Sequence, residues 1–166
     1  MVVIVIIGIL AAIAIPNYIA LKDRALEASV KANMHSVHMA VEEFNTLIGG
    51  LYPGDIDTRI NQIDPTIPGN LGNISLAAGV RVPPFPQNAL LKSHPGFRNP
   101  FASADNVIDN LLVGPPPPIP PGMPRGCVYY SSYQIDGISP SANGQPAYSY
   151  CITAYGSSSP LTLVLP

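Results

Sequence analysis

Residues 1–21 read MVVIVIIGILAAIAIPNYIAL, and none of them is charged. Only 11% of the 166-residue chain is charged, and its most apolar stretch is gathered at one end. A helix rises ~1.5 Å per residue, so this stretch reaches about 30 Å, the hydrocarbon thickness of a bilayer. A soluble domain spreads its apolar residues along the sequence and gathers them by folding. An uninterrupted apolar end must be covered by something else: lipid, a cleavage complex, or other copies of itself. Ala12-Ile13-Ala14 matches a signal-cleavage pattern, but no basic segment precedes the apolar run and the helical pattern continues past it. A retained helix is therefore the expectation.

Beyond Pro16 the apolar residues become periodic. Leu26, Val30, Met34, Val37, Val41, Phe44 and Ile48 recur at steps of three and four, one face of an α-helix. Lys22, Asp23, Arg24, Glu27, Lys31, Glu42 and Glu43 fall on the other faces. Gly49-Gly50 stops the pattern and Tyr52-Pro53-Gly54-Asp55 opens a turn. The spacing predicts one helix over about residues 1–48, roughly 70 Å long. Its first half, about residues 1–25, should protrude. Its amphipathic half belongs with residues 26–166 as a head. Gly8 weakens the helix, and Pro16 cannot bond to the carbonyl of Ala12, so residues 8–16 are the place where this helix could kink or locally stretch.

The head carries most of the 20 prolines, which predicts loops and little helix. Pro115–Pro118, Pro120, Pro121 and Pro124 read as a polyproline-like surface spacer. Ala78–Val82 is a weak strand candidate. Cys127–Ile135, Ala147–Tyr155 and Leu161–Leu165 are better ones, rich in Tyr, Val, Ile, Leu and Thr. Short connections between them predict antiparallel pairing, with one sheet face covering the helix stripe. The fold class expected is α+β: a long helix against a small antiparallel sheet in a loop- and Pro-rich head. Cys127 and Cys151 are the chain's two cysteines. Flanking strand-like segments, they point to one disulfide and an extracytoplasmic location, the alternative being two buried thiols. Such a bridge would contribute ~3–4 kcal/mol.

Residues 1–18, MVVIVIIGILAAIAIPNY, resemble the N-terminal helix of bacterial type IV pilins and of type II secretion pseudopilins. The resemblance lies in the Val/Ile run, Gly8-Ile9-Leu10-Ala11-Ala12-Ile13-Ala14-Ile15-Pro16 and the tyrosine that follows. It implies a structural subunit of an extracellular pilus-like filament, serving adhesion, motility or DNA uptake. A pseudopilin of a secretion system and a single-span membrane protein with a binding head are the alternatives. Val3, Ile4, Ile6, Ile7, Ile9, Leu10, Ile13 and Ile15 would then form the filament core. Before assembly, the same residues would be held in the inner membrane. The implied partners are further copies of the chain, the pilus assembly machinery and a prepilin peptidase. In that family the mature chain starts a few residues before the methionine that Met1 matches. It starts with a methylated phenylalanine and has a glutamate two positions before that methionine. The resemblance implies that such residues precede Met1.

No catalytic pattern stands out: GxxxxGK[ST], GxSxG, HExxH and GxGxxG are all missing from the sequence. No enzyme activity and no cofactor are expected. The net charge of −2, with acids and bases mixed, leaves no footprint for nucleic acid. His35, His38 and Glu42 share a helix flank, which reads as a solvated polar stripe rather than a metal site. Asp105 and Asp109, with Asn106 and Asn110, are weak candidates for Ca²⁺, set against the commoner role of such residues in turns and caps. Asn73-Ile74-Ser75 is a glycosylation sequon, and Ser157, Ser158 and Ser159 before Pro160 are weak O-linked candidates. The head tyrosines read as strand residues that pack.

Overall fold

The computed structural model describes residues 2–92, 97–102, 106–111, 124–156 and 160–164. Helix α1 runs unbroken over Val2–Ile48. Regular helix passes through both Gly8 and Pro16. The end came where the glycines put it. Gly49 and Gly50 take φ of 81° and 112°, and both N–H groups donate to the carbonyl of Asn45. A side chain with a Cβ resists that left-handed turn, and glycine does not.

After α1 the chain makes a two-residue strand β1 (Tyr52–Pro53), the single turns α2 (Ile60–Ile63) and α3 (Gly69–Gly72), and a short strand β2 (Ile108–Asn110). Strands β3 (Val128–Tyr133), β4 (Pro146–Ala147), β5 (Ser149–Tyr155) and β6 (Pro160–Val164) follow. The main sheet has the order β2-β3-β5-β6, and β1 pairs with β4 in a separate two-stranded ribbon. The fold is α+β, as the patterning predicts. The three predicted late strands are β3, β5 and β6, and their pairing is antiparallel. Two features depart from expectation. Ala78–Val82 is not a strand, because Ala78 and Gly79 both have positive φ (52° and 84°) and turn the chain sharply. In its place β2 joins the sheet edge parallel to β3, so the sheet is mixed.

The helix stripe meets the sheet as its spacing requires. Val30, Met34, Val37, Val41 and Phe44 are buried in one core with Val128, Tyr130, Tyr150, Ile152 and Ala154. Leu26 and Ile48 lie at the margins of that stripe and are half-buried. Of the two faces of β5, the one carrying Tyr150, Ile152 and Ala154 covers the helix. Polar contacts fix the joint. Tyr150 OH donates to Glu42 Oε1 (2.6 Å), and Tyr130 OH donates to the carbonyl of Pro53 (2.7 Å). Asn33, buried in α1, donates from Nδ2 to the carbonyl of Arg98 (2.9 Å). Gly54 lies under the carbonyls of Ala142 and Gln145, where a Cβ would collide, and its own carbonyl accepts from Ser132 Oγ (2.7 Å).

The expected Cys127–Cys151 disulfide is contradicted by the strand register. Cys151 lies opposite Ser131 on β3, and Cys127 lies four residues before Ser131. At ~3.3 Å per strand residue the two are about 13 Å apart, against the ~7 Å that a disulfide can span. Both are buried, on the sheet face away from α1. Burial pushes the Cys151 thiol above its usual range. Cys127 immediately precedes β3 and Cys151 lies within β5. Only the register between the two strands sets how far apart they are.

Candidate functional site

Thirteen large apolar side chains between Val2 and Leu21 are each 51–72% exposed. They include all eight of the expected core residues, Val3, Ile4, Ile6, Ile7, Ile9, Leu10, Ile13 and Ile15. At ~1.5 kcal/mol for each large side chain left in water rather than covered, thirteen amount to roughly 20 kcal/mol. That exceeds the net stability of an ordinary domain, about 5–15 kcal/mol. A surface of this kind marks a contact with lipid or protein. The helix is long and apolar enough to cross a membrane, and none of its most apolar window is covered by the head. The residues alternate around every side of the helix, so a single neighbour cannot cover them. Gly8 and Pro16 lie within this exposed half, and around Gly8 there is open space where a Cβ would go.

The head that carries this rod is tied together by one charged cluster that the sequence did not announce. Arg81 binds Asp57 through two hydrogen bonds, Nη1–Oδ1 at 3.1 Å and Nη2–Oδ2 at 2.7 Å. Its Nε lies 3.5 Å from Asp109 Oδ1. Asp57 also accepts the Gly79 N–H (2.7 Å), and Asn110 Nδ2 donates to Asp55 Oδ2 (3.0 Å). Burial alone would raise the Asp57 carboxyl, but the Arg81 and Gly79 hydrogen bonds outweigh it and hold it below the usual carboxylate range. Asp55 lacks such a donor to the same degree, so burial raises its pKa. The cluster joins the segments around residues 55–57, 79–81 and 107–110. Its members are up to 55 positions apart in sequence, and no local pattern could pair them.

The remaining expected sites fall as follows. Asp109 is engaged by Arg81, while Asp105 lies outside the described residues. Among the described residues no three His, Cys, Asp or Glu side chains come together to hold a metal ion. His35 and His38 lie beside each other on α1, rings 6.1 Å apart, and His38 Nε2 is 3.8 Å from Glu42 Oε1. Glu42 already accepts from Tyr150, so this flank belongs to the helix–sheet joint. Asn73 is exposed, but Ser75 of its sequon is buried and its Oγ accepts the Ala78 N–H (3.0 Å). Ser157, Ser158, Ser159 and most of the proline-rich segment, Pro115–Pro118, Pro120 and Pro121, lie outside the described residues. Three head tyrosines pack together, Tyr130 stacking on Tyr150 at 5.9 Å and Tyr52 meeting Tyr150 at 4.7 Å, while Tyr148 is exposed.

Comparison with protein-family models finds no match. Neither curated proteins nor solved structures give one. The likeness to pilins therefore rests on residues 1–18.

Proposed function

We propose that this chain is the structural subunit of an extracellular pilus-like filament, assembled through the exposed half of α1. One observation carries the reading: thirteen apolar side chains ring a helix that nothing among the described residues covers. The amphipathic half of the same helix is bound to the head through Val30–Phe44, so the two halves have separate tasks. Copies of the chain, packed around the rod on all sides, would remove this surface from water, with heads outermost. Lipid serves the same end before assembly, and the length of the rod suits a span of the inner membrane. On this reading a prepilin peptidase and an assembly machine handle the membrane-held form. The alternatives are a short pseudopilin fibre in a secretion system and a monomeric single-span protein with a binding head.

Replacing Ile4 or Ile6 by Asp tests the assignment. A carboxylate buried among apolar neighbours costs several kcal/mol in every subunit, and the ~1.5–3 kcal/mol of isoleucine burial is lost as well. Both variants should yield no fibres in sheared surface material viewed by electron microscopy, while the head keeps its circular dichroism. Normal fibres from either variant would overturn assembly through this segment. Short fibres restricted to the envelope would favour the pseudopilin alternative. A parent chain found only as a monomer would favour the single-span one.

A further inference from the structure

Away from the rod, the head holds an open groove of about 820 Å³, within the range of small-ligand sites. Its polar lining is Arg59, Asn70, Asn73, Gln87 and Asn88; its apolar lining is Leu71 and Ile74. Arg59 is exposed and its guanidinium forms no ion pair with a carboxylate among the described residues. Asn73 Nδ2 donates to the carbonyl of Gly69 (3.2 Å) and Asn88 Nδ2 donates to that of Asn73 (3.4 Å). Among the described residues, neither amide oxygen accepts a hydrogen bond. The Asn70 and Gln87 side chains are exposed at the rim.

The walls are pinned by backbone hydrogen bonds. Ile60 N–H donates to the Ile74 carbonyl (3.0 Å), Ser75 N–H to that of Asn88 (3.1 Å), and Leu90 N–H to that of Ser75 (2.9 Å). Gly72 lies against the carbonyl of Ile67 so closely that a Cβ would collide, which seats α3 on the turn before it. The groove is therefore preformed, and a ligand need not order its walls.

We propose that this groove binds an acidic oligosaccharide. A carboxylate of the ligand pairs with Arg59, whose planar fork suits it. Its hydroxyls meet the side-chain amides of Asn70, Asn73, Gln87 and Asn88. A hydroxyl both donates and accepts, and so does a carboxamide, so vicinal diols match this lining. Leu71 and Ile74 take an apolar C–H face of a sugar ring. A peptide is a poorer fit, because its backbone seeks unpaired strand groups. The wall carbonyls of Ile74, Ser75 and Asn88 are already engaged.

Calorimetric titration of the full chain in detergent micelles with trigalacturonate, and with its uncharged trimethyl ester, tests this. Saturable binding of trigalacturonate is expected, with the ester weaker by about tenfold. Arg59→Met should lower trigalacturonate affinity by about tenfold and leave the ester's unchanged. Asn70→Ala combined with Gln87→Ala should weaken both ligands. These exposed positions leave the melting temperature as a control for folding. The proposal is overturned by the absence of saturable binding at millimolar trigalacturonate, or by full affinity in Arg59→Met. Equal competition from triglutamate would also overturn it, as would a sugar covalently attached to Asn73 and filling the groove.

Discussion

Arg81 is the residue whose removal the head should feel most among its charged groups. Its guanidinium holds Asp57 by two bonds and approaches Asp109, with both Arg81 and Asp57 side chains about three-quarters covered. Substituting Arg81→Met keeps the apolar stem and deletes the charge. Three carboxylates, Asp55, Asp57 and Asp109, then face one another without their cation. Charge-assisted hydrogen bonds contribute ~1.5–3 kcal/mol, and stranding a partly buried carboxylate raises the cost further. Partial solvent screening takes some of this back, so a net loss of about 2–3 kcal/mol is expected. The sign of the pH dependence follows from Asp57, whose carboxyl is held below its ordinary value of 3.8. The stability it contributes is complete above that value and is lost as pH falls through the lowered native pKa. The deficit of Arg81→Met should therefore be full near pH ~7 and shrink in acid. Thermal unfolding of the full chain in micelles, repeated across pH and with Asp57→Asn alone and combined, measures it. The double variant should lose less than the sum of the two single losses. Equal melting temperatures near neutrality, or a deficit that stays constant into acid, would refute the argument.

The helix–sheet joint makes a second test: Phe44 is fully buried, so Phe44→Ala should cost ~3–5 kcal/mol, read as a lower denaturation midpoint of the head. Tyr150 and Tyr130 form a third. Burial, then the Glu42 carboxylate for Tyr150 and the neighbouring Tyr150 phenol for Tyr130, push both phenols above the ordinary 10.0. The stability they contribute is complete below that value and is lost as pH rises above it, where only the unfolded chain ionises. Ultraviolet titration should show these two phenols protonated until the head unfolds in alkali. Finally, peptide mapping without reductant should find no Cys127–Cys151 linkage, and reductant should leave the melting temperature unchanged.

The long helix was legible because its evidence is local. Spacing along residues 26–48 named the buried face, and Gly49-Gly50 named its end. Strands β3, β5 and β6 were legible for the same reason: composition and turns lie next to one another in sequence. Strand β2 was not, since three residues of Ile-Asp-Asn become a strand only when β3 supplies a parallel partner. Ala78–Val82 misled because its apolar residues suit a strand while the chain has to turn there.

The exposed rod is the sequence's own doing: residues 2–21 are apolar in unbroken order, and no later residue among those described covers them, so their need for an external partner is written along the chain. The cysteine separation, the Arg81 cluster and the Arg59 groove were decided by tertiary structure. Each depends on register or on segments far apart in sequence, and side-chain distances across such contacts are set only when the strands and loops pack.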